Sequence, residues 1–306
     1  MGDSKSDDVR SWSGPIEQMD EDERRALIDA MTADDRPGVT VTEALRNNWL
    51  EIWYQPKIDF KRKCLAGAEA LARIHHPQFG VLLPGAFLAD ADEDSLAALT
   101  EHALLVTMSD WAMFDEAGFN LHLAINVPAG VLFRMPITEL VAEYRPKWER
   151  WPGVIIEVTE DQIVSDIALA QEIAAELRGS AISIAIDDFG AGYSSFSSLR
   201  NLPFAELKID RSFVRDCAAD TANAAVCHTA IDLAHRFGSA AVAEGIETQT
   251  DLQALMAMGC DFGQGVLIAP PMPKERFLDL LRQRMDKPRA DATAERPGAK
   301  HVDRVA

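Results

Sequence analysis

A chain of 306 residues is long enough for two average domains, yet one α/β barrel takes roughly 250, so a single domain flanked by tails is the expected organisation. Its 49 acidic against 30 basic residues give a net charge of −19, a field that repels long polyanions and argues against nucleic acid or an anionic membrane as the main partner. Four cysteines stand far apart with no C-x-x-C pair, which suggests neither a disulfide framework nor a zinc site and fits a reduced cytoplasm, and no run approaches the ~18 apolar residues of a membrane span.

Residues 1–40 are polar. Asp20-Glu21-Asp22-Glu23 ahead of Ala26-Leu27-Ile28 reads as a short lead-in helix with acids in its first turn and a stop at Pro37-Gly38. From residue 41 onwards strands and helices alternate, as in a parallel sheet with helices outside it. Strands are expected near Leu50–Tyr54, Leu65–Leu71, Leu121–Val127, Val154–Val158, Ile182–Asp187, Glu206–Ile209, Ala240–Ala243 and Asp261–Leu267. Ile163, Ile167, Ala170, Ile173, Ala174 and Leu177 share one face at helical spacing, with Gly179 as the stop. Asp220 or Thr221 caps a helix running to His235, with Gly238 beyond it. After about residue 283 the chain turns rich in Arg, Asp, Pro and Ala without periodicity, which reads as a disordered tail over 284–306. The barrel is therefore expected over 41–283.

One connection differs from the rest. Only Lys57 to Cys64 separates the first two strands, and a parallel crossover needs a dozen or more residues, so these two strands are expected to be antiparallel.

Oxygen-bearing residues recur at the ends of successive strands: Glu69, Asn126, Glu157, Asp187 with Asp188, and Glu244. Burying a carboxylate unpaired costs several kcal/mol, so something cationic must meet them. Parallel barrel strands converge at their carboxyl ends, which would gather the six groups around one point. Hard divalent cations prefer such oxygen donors. Adjacent side chains on a strand point to opposite faces, so Asp187 and Asp188 can serve one centre only if the chain turns there, which Gly190 and Gly192 permit.

Tyr54-Gln55-Pro56, Glu69-Ala70-Leu71 with Arg73, Asn126-Val127, Glu157-Val158-Thr159-Glu160, Asp187-Asp188-Phe189-Gly190-Ala191-Gly192-Tyr193-Ser194-Ser195, Leu207-Lys208-Ile209-Asp210, Ala243-Glu244-Gly245-Ile246-Glu247 and Gly263-Gln264-Gly265 follow one another in this order. Together they resemble the EAL-domain phosphodiesterases of the bacterial second messenger cyclic di-GMP, from the helix near Val41 to about Leu281. The resemblance implies a TIM-like (β/α)8 barrel with the first strand antiparallel, and hydrolysis of cyclic di-GMP to the linear dinucleotide pGpG. The same family contains members that have lost catalysis and act as receptors or interaction modules, and fold does not separate the two classes.

The resemblance also implies two divalent cations, Mg²⁺ or Mn²⁺. Glu69, Asn126, Glu157 and Asp187 would hold one, while Asp187, Asp188 and Glu244 would hold the other, with Asp187 as the bridge. Lys208 matches the family's catalytic lysine, which holds or deprotonates the attacking water; the alternative is a lysine that balances excess negative charge. Glu244 and Glu247 are similar to the family's glutamates at the catalytic centre, and Gln264 to a glutamine at its rim. Arg73 and Gln55 match substrate-contacting positions. Their alternatives are a surface salt bridge and an amide satisfying local backbone. Glu160 resembles the glutamate that anchors the Asp187-to-Ser195 loop, and could equally support the start of the next helix. His76-Pro77 matches a structural His-Pro, so His75 and His76 are expected to be loop residues rather than ligands.

The resembling domains commonly form homodimers beside that loop, where Phe189, Tyr193 and Phe196 offer apolar groups. The chain departs from the family pattern at Ile74, Pro128, Ala191 and Val266, none of which supplies a metal ligand.

Overall fold

The computed structural model describes residues 38–165, 167–191 and 202–285. The expected helix near Asp20, residues Gly192, Tyr193, Ser194, Ser195 and Phe196 of the loop, and all but two residues of the expected tail lie outside them.

Ten strands are described: β1 (Leu50–Asp59), β2 (Cys64–His76), β3 (Gly80–Leu82), β4 (His122–Asn126), β5 (Val154–Thr159), β6 (Ile182–Phe189), β7 (Glu206–Ile209), β8 (Ala240–Ala243), β9 (Phe262–Gly263) and β10 (Met272–Pro273). Eight of them form a ring in the order β1-β9-β8-β7-β6-β5-β4-β2, closed by the pairing of β1 with β2. β1 runs antiparallel to both of its ring neighbours, and the other ring pairs are parallel. This is the expected barrel with a reversed first strand, and its cause is local: β1 and β2 are joined by the four residues Phe60 to Lys63, too few for a crossover.

The long hairpin extends past the expected ends of both strands. Lys57 and Asp59, expected in the connection, are buried strand residues. The edge pieces β3 and β10 were not legible in the periodicity. The last barrel strand is shorter than Asp261–Leu267, because after Gly263 the chain wraps around Ile246. The Ile246 N–H donates to the Gln264 carbonyl at 3.1 Å, and the Leu267 N–H to the Ile246 carbonyl at 3.0 Å. A Cβ at Gly265 would lie 2.2 Å from the Ile246 nitrogen, so only glycine allows this approach.

The helices are α1 (Val41–Arg46), α2 (Pro84–Phe87), α3 (Glu93–Glu116), α4 (Ala129–Leu132), α5 (Ile137–Tyr144), α6 (Glu160–Ser165), α7 (Ile167–Leu177), α8 (Arg211–Val214), α9 (Thr221–Arg236), α10 (Gln249–Met258) and α11 (Lys274–Met285). The apolar face predicted from Ile163 to Leu177 belongs to two helices, α6 and α7, with Ile163, Ala170, Ala174 and Leu177 buried. The left-handed stop is Ala181 (φ 58°) rather than Gly179, since the reversal must come immediately before β6. Asp220 is the cap of α9, accepting from the Ala222 and Asn223 N–H groups.

The main core lies between strands and helices, where Ile125, Ile156, Ile186, Leu207 and Ile209 are sealed from water with Trp111 and Phe114. Because strand side chains alternate, each outward apolar residue leaves its neighbour pointing into the barrel. On β7 the outward pair is Leu207 and Ile209, and the inward pair is Glu206 and Lys208.

Candidate functional site

The parallel ladder sets the height of each polar strand end. Asn126 is paired with Glu157 and Thr159 with Asp187, so these side chains ascend the ring toward the carboxyl ends of the strands. Lys208, 1% exposed, reaches into their midst. Its Nζ lies 2.6 Å from Glu244 Oε1, 2.7 Å from Glu157 Oε2, 3.1 Å from Asp187 Oδ1 and 3.7 Å from Glu69 Oε2. Two amides complete the network. Asn126 donates to Glu69 at 2.7 Å, and Gln264 donates to Glu69 at 2.6 Å and to Glu244 at 3.1 Å. Gln264, expected at the rim, is 3% exposed and joins β2 to the end of β8 inside the site.

Asp187 and Asp188 reach one centre through a β-bulge. Ile186 is paired with Leu207 and Phe189 with Ile209, so three steps along β6 match two along β7. Asp188 itself takes the left-handed conformation (φ 54°), which a short polar side chain tolerates, and Gly190 follows at φ 97°. The turn thus begins at Asp188, two residues before the first of the glycines expected to permit it. Carboxylate oxygens of Asp187, Asp188 and Glu244 come within 4.8 Å of one another. The Gly190 N–H donates to Glu160 Oε2 at 3.0 Å, and Glu160 is buried as the first residue of α6.

One ammonium faces three buried carboxylates, Glu69, Glu157 and Asp187, and the half-buried Glu244, and Asp188 adds a fifth nearby. Burial opposes the charge on Lys208, but Glu157, Glu244, Glu69 and Asp187 together hold its proton well above the usual lysine range. Burial, joined by Glu69, pushes Glu157 well above the carboxylate range against the pull of Lys208. Burial lifts Glu244 to about 8, with Lys208 opposing and Asp187 and Glu69 adding to the rise. Burial also lifts Asp188, with Asp187 next. Glu69 goes the other way: burial works against its ionisation, yet Lys208 and the amides of Asn126 and Gln264 outweigh it. The centre is short of positive charge, and its donors are oxygens. Hard divalent cations fit this set.

A carboxyl whose pKa is raised by folding contributes stability that is present below its unfolded value, near 4.5, and is lost as pH rises through about 8. The metal-free protein is therefore expected to lose melting temperature between about pH 5 and 8. Millimolar Mg²⁺ should flatten that loss. Melting curves across pH with and without the cation check this, and a profile that is already flat without metal would contradict it.

Arg73 follows Glu69 by four residues on β2 and is 6% exposed, so it is not a surface salt bridge. Burial brings its guanidinium down to about 10, with Glu69 opposing. It donates to its neighbour's carbonyl (Ala72, 2.7 Å) and lies 5.7 Å from the Trp53 ring, while its Nε is buried without a partner. Gln55 stands opposite Glu69 on β1 and donates to the Ala269 carbonyl at 3.1 Å. Glu247 stands apart from the Lys208 network, exposed, with its carboxylate 3.5 Å from Arg215. His76 closes β2 between the rings of Trp49 and Phe79 and accepts from the Gln78 and Phe79 N–H groups, a structural role. Sequence reasoning missed the buried pair of Lys57 and Glu206, whose side chains meet at 2.6 Å inside the barrel.

The sequence profile described as EAL domain matches residues 39–271. The chain is 36% identical over 232 residues to cyclic di-GMP phosphodiesterase PA2567 of Pseudomonas aeruginosa, covering 75% of this chain and 40% of that protein. It is 34% identical over 250 residues to cyclic di-GMP phosphodiesterase RocR of the same organism, covering 78% of this chain and 62% of that protein. The chain thus spans less than two thirds of either curated relative. Among solved structures, the phosphodiesterase PaMucR in complex with c-di-GMP superposes with a TM-score of 0.71 at 33% identity, covering 78% of this chain and 97% of that one.

Proposed function

We propose, from the premise that the chain belongs to the EAL domain family, that it is a metal-dependent phosphodiesterase cleaving one ester bond of cyclic di-GMP to give linear pGpG. The observation that carries this reading is the Lys208 ammonium, set among carboxylates from β2, β5, β6 and the end of β8. Two divalent cations, Mg²⁺ or Mn²⁺, fit the oxygen donors: Glu69, Asn126, Glu157 and Asp187 for one, and Asp187, Asp188 and Glu244 for the other. When bound, such a pair supplies an activated water and charge stabilisation for an in-line displacement at phosphorus.

The chain's own residues do the rest. Lys208 carries its proton in the arrangement described, so it donates a hydrogen bond that orients the attacking oxygen rather than acting from the outset as a base. Any positive charge shared by Glu157, Glu244, Glu69 and Asp187 weakens their hold on that proton and brings the amine closer to use in proton transfer. Glu244 holds the ammonium at 2.6 Å, and Glu247, three residues further along and facing Arg215, is the second carboxylate assigned to the catalytic centre in this reading. The half-paired guanidinium of Arg73 suits a phosphodiester oxygen, and Gln55 and Gln264 frame the same opening. The barrel over 41–283 is the catalytic unit in this reading, working in a reducing, cytoplasmic setting consistent with its four buried free thiols.

Purified protein with Mg²⁺ or Mn²⁺ should convert cyclic di-GMP to pGpG, and chelation should stop product accumulation. Turnover undiminished after metal removal would rule out the two-ion scheme. Binding without turnover would make the chain a receptor on the same fold.

Glu160 is assigned the anchoring of the loop that begins at Asp187, through its bond to the Gly190 N–H, and homodimerisation beside that loop is part of the same reading. Glu160→Ala should leave the protein folded and lower kcat about tenfold, the loss of one charge-assisted hydrogen bond. Circular dichroism beside steady-state kinetics tests it, and a fully active variant would sink the anchoring role. Light scattering should report a dimer.

A further inference from the structure

Below the carboxylate layer, the barrel interior holds a second buried ion pair that the reaction above does not use. Lys57 Nζ lies 2.6 Å from both carboxylate oxygens of Glu206, and the two residues are 3% and 7% exposed. Their strands are not neighbours, since β9 and β8 lie between β1 and β7 in the ring. The contact therefore crosses the interior, with the Lys57 ammonium 5.6 Å from the Phe262 ring of β9. On β2, Gly67 stands opposite Lys57, and a Cβ there would lie 2.1 Å from the His122 carbonyl, so the wall beside the pair is as close as backbone allows.

β7 has four residues, and its two inward side chains are Glu206 and Lys208. The first is tied to β1, and the second must reach four carboxylates at 2.6 to 3.7 Å. Glu206 is also paired with Ala185, just before the bulge that turns Asp187 and Asp188 to one centre. We propose that the Lys57–Glu206 pair is a positioning device that fixes the depth of β7, and with it the placement of Lys208 and the register of the β6 bulge. This rests on Lys208 acting in catalysis. A misplacement of ~1 Å in a catalytic group can cost about 100-fold, so a pair remote from the reacting atoms can control rate without touching substrate.

The test uses the full chain with Lys57→Met, Glu206→Gln, Lys57→Arg and the charge swap Lys57→Glu/Glu206→Lys. The two neutralising variants are expected to lower kcat by about 10- to 100-fold while KM and metal affinity stay within about threefold. Lys57→Arg and the swap should recover most of the loss. A second readout is independent of turnover: the ¹⁵N ammonium resonance of Lys208, assigned with Lys208→Met, should move in Glu206→Gln and return in the swap. Folded neutralising variants with wild-type kcat and an unmoved resonance would overturn the proposal. If those variants do not fold, a swap that regains stability without regaining kcat or the resonance overturns it equally. A wild-type protein without turnover whose resonance still moves would uphold the positioning and refute the catalytic reading.

Discussion

Lys208→Met is expected to lower turnover of cyclic di-GMP by about 10²- to 10⁴-fold, the range for removing a positioned proton donor or acceptor. The ammonium is 1% exposed and touches Glu157, Glu244 and Asp187 within 3.1 Å, so no solvent-borne cation replaces its geometry by simple exchange. Without added metal the variant should also be less stable, since removing one partner of a buried pair typically costs about 3–5 kcal/mol. Protonation of Glu157 and Glu244, both already pushed upward, would soften that loss at low pH. Metal affinity should hold or rise, because a competing cation is gone. This separates the two readings of the residue. If Lys208 only balances negative charge, saturating Mg²⁺ should restore the rate; if it acts on the reacting oxygen, the rate stays low with the cations bound.

The second large effect is expected for Glu69→Ala. Its carboxylate accepts from Asn126 and Gln264 and lies 3.7 Å from Lys208, so alanine removes an oxygen donor, takes the acceptor from Asn126 and leaves Gln264 with Glu244 alone. Removing even an outer partner of a metal ligand commonly costs 10- to 100-fold in affinity, so losing a ligand should cost about 100-fold or more and turnover should fall with it. Arg73→Ala should behave differently. Its guanidinium makes no hydrogen bond to the carboxylates, so metal affinity should be unchanged while substrate engagement weakens by about 10- to 100-fold, the worth of a hydrogen bond to a charged group. Calorimetric metal titration beside steady-state kinetics distinguishes the two variants. Equal loss of metal affinity in both would show that the division between a metal ligand at Glu69 and a substrate contact at Arg73 is wrong.

The reversed strand was legible because an eight-residue separation leaves no room for a crossover, whatever the tertiary context. The strand-end carboxylates were legible because a buried acid on an apolar run needs a counter-charge. Lys57 and Glu206 were not, since a lysine near a predicted turn reads as solvated and its partner lies 149 residues away. The bulge at Asp187 and Asp188 was hidden for a related reason. Period-two patterning shows which face a residue occupies in a regular strand, and it is silent where one strand slips against the next. Gln264 was misplaced to the rim because the wrapping of its segment around Ile246 is set by backbone contacts with no side-chain pattern.

The reversed strand also decides at which face the chain enters the barrel. In an all-parallel barrel the first strand starts at the face opposite the carboxyl ends, but here β1 begins at Leu50 opposite Ile74, five residues beyond Glu69. The chain enters the fold at the mouth that holds Lys208, and α1 seals that entrance through Val41 and Ala44 against Leu50 and Ile74. A domain or fluorescent reporter joined upstream of Gly38 is consequently tethered on the side of the mouth that holds Lys208.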